Sequence, residues 1–183
     1  MTLLSTRLLP SITAMAVIVI ASNILVQVPF TPFGLGDVLT YGAFTYPFAF
    51  LVTDLTNRWY GPAKTRQVVY VGFAVAVVLS LVLADARIAL ASGTAFLTAQ
   101  LVDVTVFNRL REGSWWRAPL VSSSLGSALD TAVFFSLAFV GTDVPWVTLA
   151  LGDFAVKMAM ALVSLVPYAG LMNAMKPSGA LAR

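Results

Sequence analysis

Four aspartates stand inside apolar stretches of this chain: Asp54, Asp103, Asp130 and Asp153. Phe96, Gln100, Asp103 and Phe107 follow helical spacing, so a carboxylate and an amide share one face with two rings. Ser123, Ser127, Asp130 and Phe134 repeat that polar-plus-aromatic face. A carboxylate accepts two parallel N–H bonds, an amide both donates and accepts, and rings cover a flat molecule. Such walls suit a planar, hydrogen-bonding heterocycle with a guanine-like edge better than a sugar or a lipid.

Local pairing separates the four. Asp54 has Arg58 four residues on and Asp153 has Lys157 four residues on, the favourable order for helical ion pairs. Asp103 and Asp130 have no base three or four residues away on either side. Their partners must come from another helix, from water or from a ligand, unless burial keeps them protonated. Asn23, Gln27, Asn57 and the run Ser122, Ser123, Ser124 are further polar candidates. The serines have a plain alternative, bonding back to carbonyls of their own helix.

The elements that must hold these residues follow from composition. The chain has 183 residues, of which 59% are hydrophobic and only 10% charged, with mean hydropathy +0.89. A soluble domain carries about 25% charged residues, so this is an all-α integral membrane protein. Each ionisable residue in a span then costs about 2.5–3.5 kcal/mol on insertion scales, so each needs a reason to be there. Net charge +3 and a pI near 9.5 could suggest nucleic acid, but the bases gather at helix ends, where topology explains them and no nucleic-acid partner is expected. With no cysteine and no histidine, disulfides, thiol nucleophiles, thiolate metal sites and imidazole bases are excluded. The expectation is no enzyme, no cofactor and no metal.

Six apolar segments can be drawn in one transmembrane domain spanning 1–183: 8–28, 38–59, 68–84, 88–107, 119–141 and 146–175. The first is long enough to span and reads as an uncleaved helix. One set of ends carries Arg7, then Arg58, Lys64 and Arg66, then Arg109, Arg111 and Arg117, then Lys176 and Arg183; the other carries only Arg87. The positive-inside bias places both termini in the cytoplasm. No GxxxxGK[ST] loop is present, so the chain cannot hydrolyse ATP on its own.

Val28 to Asp37, with two prolines and two glycines, suits either a shaped lip or a plain connector. Tyr46-Pro47 predicts a kink in the second segment. Trp115, Trp116 and the Tyr60-Gly61-Pro62 turn read as interfacial. Gly72/Ala76, Ser123/Ser127 and Ala155/Ala159 are small pairs that allow close helix contact within one chain or in a homodimer. FLVTDLTN (50–57) aligns with FLTAQLVD (96–103), setting Asp54 over Gln100 and Asn57 over Asp103; this is either a parallel duplication or coincidence.

Three segments, 43–61, 91–111 and 115–139, resemble the queuosine-precursor transporter family, also called the vitamin uptake transporter family. The resemblance rests on D-x-x-N-R-x-Y-G, A-x-x-x-D-x-x-V-F and W-x-R-x-x-x-x-S-S-x-x-G-S-x-x-D-T taken together. Matching positions are Asp54, Asn57, Arg58, Tyr60 and Gly61, then Gln100, Asp103, Phe107 and Arg109, then Arg117, Ser122, Ser123, Gly126, Asp130 and Thr131. The resemblance implies import of 7-cyano-7-deazaguanine and its aminomethyl relative across a bacterial inner membrane. It also implies six helices similar to the substrate-binding subunits of energy-coupling-factor transporters, but working without ATPase partner subunits. The residues expected to meet such a solute are Asp103, Asp130, Gln100, Asp54, Asn23, Asn57 and Lys157, with Phe96, Phe107 and Phe134 enclosing the ring.

Overall fold

The computed structural model describes residues 6–36, 38–83 and 86–174. Asp37, Ala84, Met175, Lys176 and Arg183, on which parts of the topological reading rest, lie outside them. Among the described residues seven α-helices form in order: α1 (Leu9–Leu25), α2 (Gly42–Thr45), α3 (Phe48–Tyr60), α4 (Pro62–Leu83), α5 (Ala86–Leu110), α6 (Arg117–Phe139) and α7 (Trp146–Leu171). No named strand occurs among the described residues. At 1.5 Å per residue, α4 to α7 are roughly 33–39 Å long, enough for a hydrocarbon core of about 30 Å. Among the described residues these four, α4 over Pro62–Val82, are long and apolar enough to cross a membrane, and the chain is a multi-pass membrane protein.

The second expected segment is broken where Pro47 removes a backbone donor. Tyr46 and Pro47 keep right-handed helical dihedrals. The bonds across them tighten to Ala49 N–H to the Tyr46 carbonyl (2.9 Å) and Phe50 N–H to the Pro47 carbonyl (3.1 Å). The third begins six residues earlier than the apolar run suggests, at Pro62. Gly61 alone joins α3 to α4, at φ 79°, a left-handed conformation that disfavours any side chain. Proline then opens α4 where its missing N–H is not needed.

α3 is the central element and touches α1, α4, α5, α6 and α7. Thr53 to Asn57 are buried in unbroken succession, so this helix is enclosed on all sides although its sequence is polar. α7 is the opposite case. Its buried residues are Lys157, Ala161 and Tyr168, one narrow stripe, while Leu151, Leu162, Val163 and Val166 face outward. Two small pairs pack as expected. At Gly72 an added Cβ would come within 2.7 Å of Met15 Cγ, so α1 and α4 meet there. Ser123 and Ser127 are buried on α6. The third pair makes no such contact within the chain: Ala155 and Ala159 are exposed.

The loop between α1 and α2 is a shaped strap. Pro29 and Thr40 form an antiparallel bridge, held by Phe30 N–H to the Leu39 carbonyl (2.8 Å) and Tyr41 N–H to the Val28 carbonyl (3.0 Å). Pro32–Gly34 make a 3-10 turn at its tip, and Phe30 packs on Tyr41 and Phe44. Trp115 and Trp116 are exposed beside the start of α6.

Candidate functional site

A cavity of about 470 Å³ opens between the strap and the neighbouring ends of α1, α4, α5, α6 and α7. It lies at the C-terminal ends of α1, α4 and α6 and the N-terminal ends of α5 and α7, opposite to Arg58, Lys64, Arg66, Arg109, Arg111 and Arg117. At the cavity end, Arg87 donates to the Leu137 (2.9 Å) and Val140 (2.5 Å) carbonyls, so its charge caps α6. Gly36, Val38, Leu39 and Thr40 of the strap form part of the wall.

The polar floor comes from α6 and α7. Lys157 Nζ donates to Asp130 Oδ2 (2.7 Å), Asp153 Oδ2 (2.5 Å) and Thr131 Oγ (3.2 Å). Thr131 also donates to Asp153 at 2.7 Å, and Tyr46 Oη donates to Asp130 Oδ1 at 2.8 Å. The ammonium stands 5.4 Å from the centre of the Tyr46 ring. Asp153 pairs within its own helix, as its spacing suggests, and of the partners left open for Asp130 the structure shows a base from another helix. One ammonium faces two carboxylates, so the floor keeps an unbalanced negative charge in an apolar surround. Phe96, Phe134, Phe135 and Phe139 supply the aromatic wall.

Asn23 also lines the cavity, with its amide donating to the Val19 carbonyl (2.9 Å) and accepting from Ser80 (3.3 Å). Of the ten residues expected at the site, the cavity gathers Asn23, Phe96, Asp130, Phe134 and Lys157. It does not gather Asp54, Asn57, Gln100, Asp103 or Phe107. Tyr46 and Asp153 also line the cavity, with Thr131 bonded behind them to Asp153 and Lys157, and none of the three had a binding role in the sequence reading. Tyr46 stood out only as the residue before a proline. A tyrosine in mid-span must find a partner for its hydroxyl, and that requirement pointed to it.

Asp54, Asn57, Gln100 and Asp103 occupy a second polar layer nearer the basic end. Ser122 and Ser123 donate to the two Asp54 oxygens at 3.2 and 3.1 Å, rather than only back to their own helix. Thr53 donates to Asp103 Oδ2 at 3.1 Å, and Asn57 donates to the Val104 carbonyl at 2.9 Å. The expected Asp54–Arg58 ion pair does not form. Arg58 instead donates to the Arg111 carbonyl at 2.6 Å, closing the end of α5. Asp103 therefore does not face Asp130. Phe107 lies beyond this layer, packed with Leu55, Ala118 and Tyr168.

An aromatic layer separates the two polar layers. The Tyr46 ring makes edge contacts with Phe50 and Phe96, both at 6.3 Å between centroids. Phe50 fits against Gly126, where an added Cβ would lie 2.7 Å from the ring. The aligned segments 50–57 and 96–103 thus sit in matching places, with both phenylalanines beside Tyr46 and both polar pairs beneath.

A family model described as "Putative vitamin uptake transporter" matches residues 40–85 and 81–172. A protein of Escherichia coli (strain K12) named "Queuosine precursor transporter" is 34% identical over 181 residues, covering 85% of this chain and 81% of the relative. "Probable queuosine precursor transporter" proteins of Haemophilus influenzae and Bacillus subtilis are 35% and 29% identical, covering 85% and 78% of this chain and 81% and 75% of the relatives. No solved structure matches the chain significantly. The motifs, the helical membrane architecture and these relatives agree, and the chain belongs to the vitamin uptake transporter family.

Proposed function

We propose that this protein imports queuosine precursors, 7-cyano-7-deazaguanine and 7-aminomethyl-7-deazaguanine, across a bacterial inner membrane. The observation that carries the reading is the cavity floor, where Asp130 is held between Tyr46 and Lys157 below a phenylalanine wall. In this proposal Asp130 and Asp153 accept the N–H groups of the purine-like edge, and Lys157, whose three donors go to Asp130, Asp153 and Thr131, holds both carboxylates in place. Phe96 and Phe134 enclose the ring, and Asn23 bounds its far side. The names of the similar proteins supply the solute class.

The membrane arrangement belongs to the same proposal. The 17 residues of α1 with the turn before it, and residues 42–60 across the Pro47 break, act as two further crossings beside α4 to α7. Six crossings put both termini in the cytoplasm and the cavity mouth outside, as in the substrate-binding subunits of energy-coupling-factor transporters. The protein works without ATPase subunits.

The test is uptake of labelled 7-cyano-7-deazaguanine by cells unable to synthesise it, scored as queuosine in tRNA. The native protein restores queuosine, and Asp130→Asn lowers uptake at least about tenfold, the effect of losing about 1.4 kcal/mol. Failure of the native protein to restore queuosine would count against the solute class. Purified protein that binds the solute but does not move it in liposomes would point to a binding subunit needing an ATPase.

A further inference from the structure

The second polar layer, unlike the cavity floor with its Lys157, holds its carboxylates without any cationic side chain in contact among the described residues. Asp54 is 2% exposed and Asp103 fully buried, yet no lysine or arginine lies within 4 Å of either among the described residues. The charged and titratable groups facing them lie toward the basic end: Arg58 on α3, Arg111 after α5, and Tyr168 on α7. Arg58 and Arg111 donate to backbone carbonyls. On the other packed elements the bases stand at helix starts, Lys64 and Arg66 on α4 and Arg117 on α6, while α1 carries none. Two buried carboxylates without a cation cost several kcal/mol each, so the layer needs a positive partner.

The donors and acceptors of the layer are also incomplete. Ser122 stands between the two carboxylates. Asp103 Oδ1 and Asn57 Oδ1 are buried with no partner. Gln100, one turn before Asp103 on the same face of α5, is fully buried with both amide atoms unpartnered. Native interiors leave few such atoms, and several in one place mark a ligand that satisfies them. The surplus is of oxygens, so the ligand is a cation, and the near-complete burial of Asp54, Asn57, Gln100, Asp103 and Ser122 limits it to a small one.

We infer that Asp54 and Asp103, with Gln100 and the Ser122 and Ser123 hydroxyls, bind one monovalent cation, a proton or Na⁺, that is carried with the solute. The site lies between two closures, the Tyr46, Phe50 and Phe96 rings toward the cavity and Phe107 with Tyr168 toward the basic end. That is where a coupling ion must sit if its loading is to govern which side opens. The inference rests on the transport reading above.

The experiment uses purified protein in liposomes, with labelled 7-cyano-7-deazaguanine and the membrane potential clamped at zero. Counterflow exchange without any gradient tests transport itself. A tenfold inward gradient of protons in one arm, and of Na⁺ in another, tests coupling and identifies the ion. Such a gradient, worth about 1.4 kcal/mol, supports up to about tenfold accumulation at one ion per solute. The expected result is accumulation in one arm only. Asp103→Asn and Asp54→Asn, which mimic a permanently neutralised site, are expected to keep exchange but lose accumulation, and retained exchange shows that they have folded. Exchange by the native protein without accumulation in either arm overturns the inference and leaves the transport reading standing. Accumulation by both variants at the native level also overturns it. Absence of exchange by the native protein overturns the transport reading, and this inference with it. The native protein alone decides the coupling question, so a variant that misfolds does not remove the test.

Discussion

Lys157 is the residue on which the cavity floor depends. Its ammonium is the shared donor to Asp130, Asp153 and Thr131, and it is 4% exposed. Removing one member of a buried charge pair leaves an uncompensated charge and costs about 3–5 kcal/mol. Lys157→Met is therefore expected to lower the thermal stability of the purified protein sharply, and Lys157→Met with Asp153→Asn to recover part of the loss. Equal melting of both variants would show that the charges are not coupled. The unbalanced carboxylate on the floor has a second consequence. Asp153→Asn is expected to weaken binding of the cationic aminomethyl precursor more than of the neutral cyano precursor, read as a change in their competition for the labelled solute. An unchanged ratio would remove Asp153 from solute recognition.

At the scale of elements, two glycines hold helices at distances that side chains would prevent. Gly126 lets α6 approach both Phe50 and the Ala99 carbonyl, closing the wall between the two polar layers. Gly126→Val is expected to abolish uptake while the protein still reaches the membrane, measured by uptake and immunoblot of the membrane fraction; native-level uptake would show that the wall tolerates separation. Gly61 is needed for its dihedral rather than for space. With φ 79°, ψ 172° and only Arg111 Nη1 nearby at 3.9 Å, Gly61→Ala strains the α3–α4 corner by about 1–3 kcal/mol. A modest drop in melting temperature with near-normal uptake is expected there.

For the whole molecule, the strap is the part placed to control access. Leu39 reaches across to α7, with its Cδ2 4.0 Å from where a Cβ at Gly152 would stand. The native chain has no cysteine, so Leu39→Cys with Gly152→Cys gives a unique pair for a short bis-methanethiosulfonate cross-linker, which joins the two thiols through reducible disulfides. Cross-linking is expected to stop uptake and reduction to restore it, whereas either single variant is unaffected by the reagent. Undiminished uptake after complete cross-linking would make the strap a fixed rim.

Much of this protein was determined by the sequence alone. Membrane residence and a helical fold follow from apolar length and scarce charge, which act without regard to tertiary contacts. The Tyr46-Pro47 break and the Gly61 corner were equally legible, because proline and glycine act on the backbone locally. So was the Asp153–Lys157 pair, whose partners are one helical turn apart. What only the tertiary structure decided is which polar residues share a chamber. Asp103 and Asp130 carry the same kind of helical face in sequence, yet one lies beneath the aromatic layer and the other at the cavity floor. Helical periodicity specifies a face but not the depth at which that face meets its neighbours. Depth is set by how α3, enclosed on every side, is threaded among the other helices. The same packing turned Arg58 away from Asp54 and onto the end of α5, because a carbonyl from another helix was nearer than the carboxylate on its own.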